Sequence, residues 1–269
     1  MGVDAGSLLG VRVRKLEQKR GIPFLVGASV LKPTLFAASA RTWIDGEKIP
    51  ATSGCIVALN HVTLLDPLLS AHFVYDHGRL PRYLAKSSLF TNKALGGFLN
   101  AAGQIPVDRL SRNAVGAFDA AVAAVRAGEC IVVYPEGTLT RDPDLWPMKG
   151  KTGAARIALE TGCPVIPVGQ WGAHEVLPPY TKRPHLWPRK HITMRAGDAV
   201  DLGDLVAREH TAEVIALATD RIMAAITELV SDLRGEPAPE QRFDPRQQGV
   251  RETGNPNDDA RGPRRKRSR

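Results

Sequence analysis

Between Thr52 and Gly235, short apolar runs alternate with stretches of helical periodicity. That alternation confines the chain to an α/β fold, a mostly parallel central sheet flanked by helices. The segments Cys55-Ile56-Val57-Ala58-Leu59, Gln104-Ile105-Pro106-Val107, Ile131-Val132-Val133-Tyr134, Val165 to Val168 and Ile192 to Met194 read as strands. Asp66-Pro67 predicts a helix start, with Asp66 as N-cap and Pro67 in the first turn. Val115, Phe118, Val122 and Val125 recur at helical spacing up to Gly128. Thr152 can cap a helix running to Glu160 and stopped near Gly162. A long helix from about Ala212 to Leu233 closes the domain, with Gly235 just beyond it.

The flanks differ from this centre. Residues 1–50 hold eight Lys/Arg against four Asp/Glu, and residues 235–269 hold nine against six. Residues 51–234 hold nineteen against eighteen, so nearly all of the net charge of +8 lies at the two ends. Basic ends suit an anionic membrane surface, with a solvated helix face and tail as the plainer reading. From Gly21 to Ala40 the chain is apolar but interrupted by Lys32, Pro23 and Pro33, a poor span and a plausible interfacial segment. No small-residue cleavage pattern follows a compact apolar core, which argues against a signal peptide. The expected organisation is a basic, amphipathic membrane-contacting segment over 1–48, a domain over 49–234, and a disordered basic tail over 235–269. Cys55, Cys130 and Cys163 lack the spacing of a zinc site or a disulfide framework, so no metal is expected.

The residues with chemistry follow the predicted strands. Asn60-His61 and Asp66 follow the first, Asp108-Arg109 follows Val107, and Glu136-Gly137-Thr138 follows Tyr134. In a parallel sheet these loops leave from one edge, where open α/β folds bind ligands. A histidine such as His61 titrates near neutrality and can take a proton from an alcohol. Asp66, five residues on, is a candidate partner for its ring, and equally a helix cap. No G-x-S-x-G elbow is present, so His61 would activate a substrate hydroxyl directly. Lys86 and Arg109 lie in a stretch, Arg79 to Arg112, with six Lys/Arg and a single acid, and suit a phosphate. Lys149 and Lys151, just before a helix start, form a second cationic spot. Gly150-Lys151-Thr152 is similar to the end of a P-loop, but Leu145 stands where the first glycine belongs.

Taken together, the boxes carry a resemblance. Asn60-His61-Val62-Thr63-Leu64-Leu65-Asp66 resembles the NHxxxxD box of the PlsC-like glycerolipid acyltransferases, specifically the 1-acyl-glycerol-3-phosphate acyltransferases. Lys86 with Gly103-Gln104-Ile105-Pro106-Val107-Asp108-Arg109 resembles their second box, Tyr134-Pro135-Glu136-Gly137-Thr138 the third, and Val165-Ile166-Pro167-Val168 the fourth. The resemblance implies the glycerol-3-phosphate acyltransferase-like fold, preceded by a helical membrane-contacting element. It implies His61 as general base oriented by Asp66, and a substrate site drawn from Asn60, Lys86, Arg109, Glu136, Gly137, Thr138 and Lys149. It also implies acyl-CoA as co-substrate with no cofactor, and lysophosphatidic acid as acceptor. Glycerol-3-phosphate, or another lysolipid or glycolipid, is the alternative acceptor. The expected place is the cytoplasmic face of the membrane, with peripheral or monotopic attachment and no nucleic-acid partner. Two positions depart from the pattern: Leu139 stands where the family often has Arg, with Arg141 two residues later, and Ser88 stands where it often has Glu. Tyr180 to Arg195, with five Lys/Arg, no acid and Trp187, is a second candidate headgroup contact, or else a Pro-rich surface loop.

Overall fold

The computed structural model describes residues 39–107, 114–252 and 254–255, with scattered positions (14–16, 21, 24, 29, 32–33 and 35) before them. Seven strands form one sheet: β1 (Ser39–Ile44), β2 (Cys55–Leu59), β3 (Pro81–Lys86), β4 (Ile105–Val107), β5 (Cys130–Val133), β6 (Val165–Trp171) and β7 (Lys190–Ala196). Their spatial order is β1-β7-β6-β2-β5-β3-β4. The five strands from β6 to β4 are mutually parallel. β7 turns antiparallel to β6 and carries β1 beside it in parallel. The expected mostly parallel sheet is what forms.

Every residue of β2 is buried, because helices cover both faces. The long helices are α1 (Asp66–Asp76), α2 (Lys93–Ala101), α3 (Ala114–Arg126), α4 (Gly153–Thr161) and α7 (Ala212–Arg234), with one-turn α5 (Ala173–Val176) and α6 (Gly203–Val206). Ile56 and Ala58 point into one core with Val122, Ala158, Ile222 and Ile226, from α3, α4 and α7. Cys55, Val57 and Leu59 point the other way, onto Leu69 and Phe73 of α1 and onto Trp43 of β1. At the rear of the sheet the fully buried Arg79 donates to the carbonyls of Pro50, Ser53 and Gly128, tying three turns together.

Several boundaries differ from the sequence reading. The sheet starts at Ser39, inside the stretch expected to be the N-terminal segment, because β7 offers β1 a full parallel register. Of that segment, Phe24, Ser29, Lys32, Pro33 and Leu35 are helical, and Leu35 is buried in the second core. β3 and α2 have no counterpart among the predicted elements; Pro81-Arg82-Tyr83-Leu84-Ala85-Lys86 lacks a clear period and becomes a strand through pairing with β5 and β4. Asp66 is the first residue of α1, not its N-cap, and its carboxylate turns back to the preceding loop. The long helix ends as expected, with Thr211 accepting from the Val214 N–H and Gly235 in the left-handed region. Beyond it the chain, expected to be disordered, is laid on the domain as far as it is described. The Lys149 N–H donates to Phe243 O at 2.9 Å, and Pro245 is buried. Residues 256–269 lie outside the described residues.

Candidate active site

The parallel strands bring the loops after β2 and β5 to one sheet edge, as expected, and β4 ends at that edge too, though its Asp108-Arg109 loop lies outside the described residues. Asp66 is fully buried there, and its charge is met from within its own loop. Its Oδ2 accepts from the Val62 N–H at 2.6 Å and the Thr63 N–H at 2.8 Å, while Thr63 Oγ1 donates to Oδ1 at 3.2 Å. Oδ2 also lies 2.9 Å from His61 Nδ1. With the carboxylate saturated by donors, Nδ1 carries the proton, and Nε2 is left as the basic nitrogen. The imidazole stacks on Tyr134, ring centroids 4.2 Å apart and planes at 26°. The Tyr134 hydroxyl meets Ser70 Oγ at 2.7 Å; that oxygen lies 2.7 Å from the Tyr83 hydroxyl, which donates to Pro67 O. Burial pushes both phenols well above the ordinary tyrosine range, so they stay neutral supports.

Glu136 holds His61 from behind. It is fully buried; its Oε1 accepts from the His61 N–H at 2.7 Å and its Oε2 from the Met148 N–H at 3.1 Å. Burial pushes its carboxyl up to about 8, against the pull of those two N–H groups. The Thr140 N–H completes the frame by donating to His61 O at 2.7 Å. A cavity of about 180 Å³ opens against the imidazole, lined by His61, Tyr83, Leu84, Val107, Tyr134 and Lys151 among others. Its lining also includes Gly153 and Ala154, the first turn of α4, where backbone N–H groups have no intrahelical partner. Among the described residues, no serine or cysteine lines it. A larger concavity of about 830 Å³ lies at the opposite sheet edge, between Lys48, Arg195 and Asp232, away from His61.

The expected substrate residues separate into groups. Asn60 faces inward and is buried, its amide spent on Gln170: Nδ2 donates to Gln170 O at 3.0 Å and Oδ1 accepts from the Gln170 N–H at 2.9 Å. It extends the β2–β6 ladder by one step. Glu136 likewise reaches His61 and Met148 from within the core. Gly137 does line the cavity, with φ at 73°, and a Cβ there would sit 3.1 Å from Lys151 Cδ. Thr138 follows it, half-buried and outside the lining. Lys86 ends β3 at the same edge. Arg109 lies outside the described residues. Lys149 is exposed, its Nζ 3.0 Å from Asp244. Lys151 does line the cavity, its Nζ 3.5 Å from Glu252. Arg141 is buried, stacked 4.9 Å over the Tyr180 ring and donating to Gly254 O at 2.5 Å. The sequence reading missed the support given by Tyr134, although that residue opens the third box. It also missed Tyr83, which sits on the unpredicted β3.

Comparisons with known proteins bear on the family and the fold. Residues 41–171 match the family model described as Acyltransferase. A 1-acyl-sn-glycerol-3-phosphate acyltransferase of Borreliella burgdorferi is 33% identical over 149 residues, 55% of this chain and 58% of that protein. One of Bacillus subtilis is 29% identical over 148 residues, 54% of this chain and 69% of that one. The chloroplastic 1-acyl-sn-glycerol-3-phosphate acyltransferase BAT2 of Brassica napus is 28% identical over 141 residues, 51% of this chain and 39% of that one. The chain thus spans about half the length of the curated relatives it matches. The crystal structure of the 1-acyl-sn-glycerophosphate acyltransferase PlsC of Thermotoga maritima shares the fold, with a TM-score of 0.61 at 22% identity over 80% of this chain and 81% of that one. Residues 41–171 thus form an acyltransferase-family domain, similar to that of the 1-acyl-sn-glycerol-3-phosphate acyltransferases.

Proposed function

We propose that the protein transfers a fatty acyl group from an acyl-CoA thioester to the free hydroxyl of lysophosphatidic acid, giving phosphatidic acid. The observation that carries this reading is His61, held by Asp66 through Nδ1 and opening on a cavity without a serine or cysteine. His61 Nε2 takes the hydroxyl proton as the oxygen attacks the thioester carbonyl. Asp66 stabilises the imidazolium that forms and keeps the ring in its tautomer. The tetrahedral intermediate then expels the thiolate, which recovers the proton from His61, leaving an oxygen ester and free CoA thiol. The first-turn N–H groups of α4 and the Lys151 ammonium supply positive potential beside the cavity for the acceptor phosphate, with Lys86 and Arg109 completing it. The enzyme works at the cytoplasmic face of a membrane, where both lipid substrates partition. No helix among the described residues is long and apolar enough to cross a membrane.

Purified protein incubated with acyl-CoA and lysophosphatidic acid is expected to release CoA thiol and form phosphatidic acid. Parallel reactions with glycerol-3-phosphate and other lysolipids rank the acceptors. Absence of transfer to every glycerol phosphate defeats the proposal.

A further inference from the structure

Nine large apolar side chains are exposed among the described residues, and seven of them gather at the sheet edge that carries His61. Leu64 and Leu68 flank Asp66 in the loop and first turn after β2. Leu89, Leu95 and Phe98 follow β3, and Leu186 and Trp187 lie between β6 and β7. Val206 and Leu217, the other two, follow β7 at the opposite edge. A monomeric protein rarely gathers its exposed apolar residues on one side without a partner for them. Trp187 is the extreme case, 89% exposed beside a Leu186 that is 51% exposed.

The two segments that carry Leu89, Leu95, Phe98, Leu186 and Trp187 are basic. Neither the stretch from Lys86 to Val107 nor that from Val176 to Gly197 contains an acid, while Lys93, Lys182 and Arg183 are exposed within them. The Trp187 loop also has a fixed base. The His185 N–H donates to Val176 O at 2.7 Å, Arg189 Nη2 donates to Ser39 O at 2.9 Å, and the Tyr180 hydroxyl donates to Thr140 O at 2.8 Å. Thr140 in turn bonds the His61 carbonyl, so the tip is held at a set height relative to the base. Ser39 opens β1 at this same edge.

We infer that this edge is a docking face for an anionic lipid bilayer, with Leu186 and Trp187 as the tip that enters the headgroup layer. An indole at the interface places its ring among the acyl boundaries and its N–H among headgroups, and the neighbouring Lys and Arg side chains meet lipid phosphates. The face builds on the proposed acylation of a membrane lipid: it turns the mouth of the His61 cavity toward the surface in which acceptor and donor dissolve.

Full-length protein mixed with vesicles of phosphatidylcholine and phosphatidylglycerol, their acyl chains brominated, tests this directly. Quenching of tryptophan emission is expected in the parent protein and is expected to be largely lost in Trp187→Phe, because Trp43 and Trp146 are buried in the domain and Trp171 is half-buried. Leu186→Ser combined with Trp187→Ser lowers partition onto these vesicles roughly tenfold. Lys182→Glu with Arg183→Glu weakens binding to the anionic vesicles and leaves binding to pure phosphatidylcholine unchanged. Equal quenching in the parent and Trp187→Phe, or unchanged partition of the double serine variant, overturns the inference. Transfer to a short-chain, water-soluble acceptor reads the active site separately. Quenching by lipid without acyl transfer defeats the proposed function and leaves the docking face standing, whereas transfer without quenching does the reverse.

Discussion

Helix α1 carries a histidine–carboxylate pair at each end, and among the described residues only the first lines a cavity. At its start, His61 Nδ1 lies 2.9 Å from Asp66 Oδ2; at its end, His72 Nε2 lies 3.0 Å from Asp76 Oδ2. The chemistry of the two pairs is alike, and their surroundings are opposite. Asp66 is satisfied by N–H and hydroxyl groups of its own turn, which leaves the far nitrogen of His61 open, with 15% of the side chain exposed. Around Asp76 close Lys32 at 2.6 Å and Trp43 Nε1 at 3.1 Å, while Arg41 lies 2.6 Å from His72 Nδ1. A guanidinium only donates, so His72 is neutral with its proton on the Asp76 side. Burial, the largest influence, depresses the His72 imidazole, and Asp76 and Arg41 act on it in opposite directions. Burial alone would raise Asp76, but His72 and Lys32 outweigh it and hold the carboxyl at about 2. The second pair is a structural knot joining the N-terminal segment and β1 to α1. A His–Asp contact becomes a general base only when one ring nitrogen stays unclaimed.

Substitutions can break this contrast, and the largest effect falls on the open pair. His61→Ala is expected to lower kcat/KM on the order of 10³-fold while leaving the unfolding transition nearly in place, as steady-state assay and thermal melting read out. Asp76→Asn should do the opposite. It strands Lys32 and unbalances His72, with a loss of about 3 kcal/mol in denaturant unfolding and near-parental turnover per folded molecule. For the closed pair the pH sign also follows. The His72 imidazole is depressed in the fold, so its contribution is present above the ordinary histidine range and lost as pH falls through it.

Glu136 gives an effect of opposite sign, spread over several pH units. Its folded carboxyl, at about 8, lies above its ordinary 4.5, so the native state keeps a proton that the unfolded chain releases. Stability is expected to decline between those two values as pH rises, by roughly 1 kcal/mol per unit, and Glu136→Gln should flatten that slope in urea titrations. The smallest effect belongs to Lys149. Because it is engaged by Asp244 and lies outside the cavity lining, Lys149→Ala should raise the acceptor KM only roughly two- to fivefold, and Lys151→Ala by more.

Much of this molecule was legible in one dimension. β2, β5 and β6 are continuous apolar runs, and α7 carries its caps at Thr211 and Gly235, so local sequence alone marks them. β3 was not, because Arg82 and Lys86 break its pattern and its pairing partners lie far along the chain. Within the site, His61 and Asp66 could be paired from their spacing, whereas the destinations of Asn60 and Glu136 could not. A polar residue in a loop after a strand reads as facing the ligand. Here Asn60 turns to Gln170 and Glu136 to two buried N–H groups, contacts across 110 and 75 residues that no local pattern encodes. The tail shows the same limit, since its Pro- and Gln-rich composition says nothing of the Lys149–Phe243 contact that anchors it.

The Glu136 carboxyl has a consequence for heat tolerance. One group bonds the His61 N–H and the Met148 N–H together, so the seat of the base is shared between the turn after β2 and the long irregular stretch from Tyr134 to Thr152. Irregular segments open at lower free-energy cost than paired strands. Warming should therefore loosen that stretch and unseat the histidine while the sheet is intact. Catalysis would then fade some degrees before the fold melts, and recover on cooling without any need to refold.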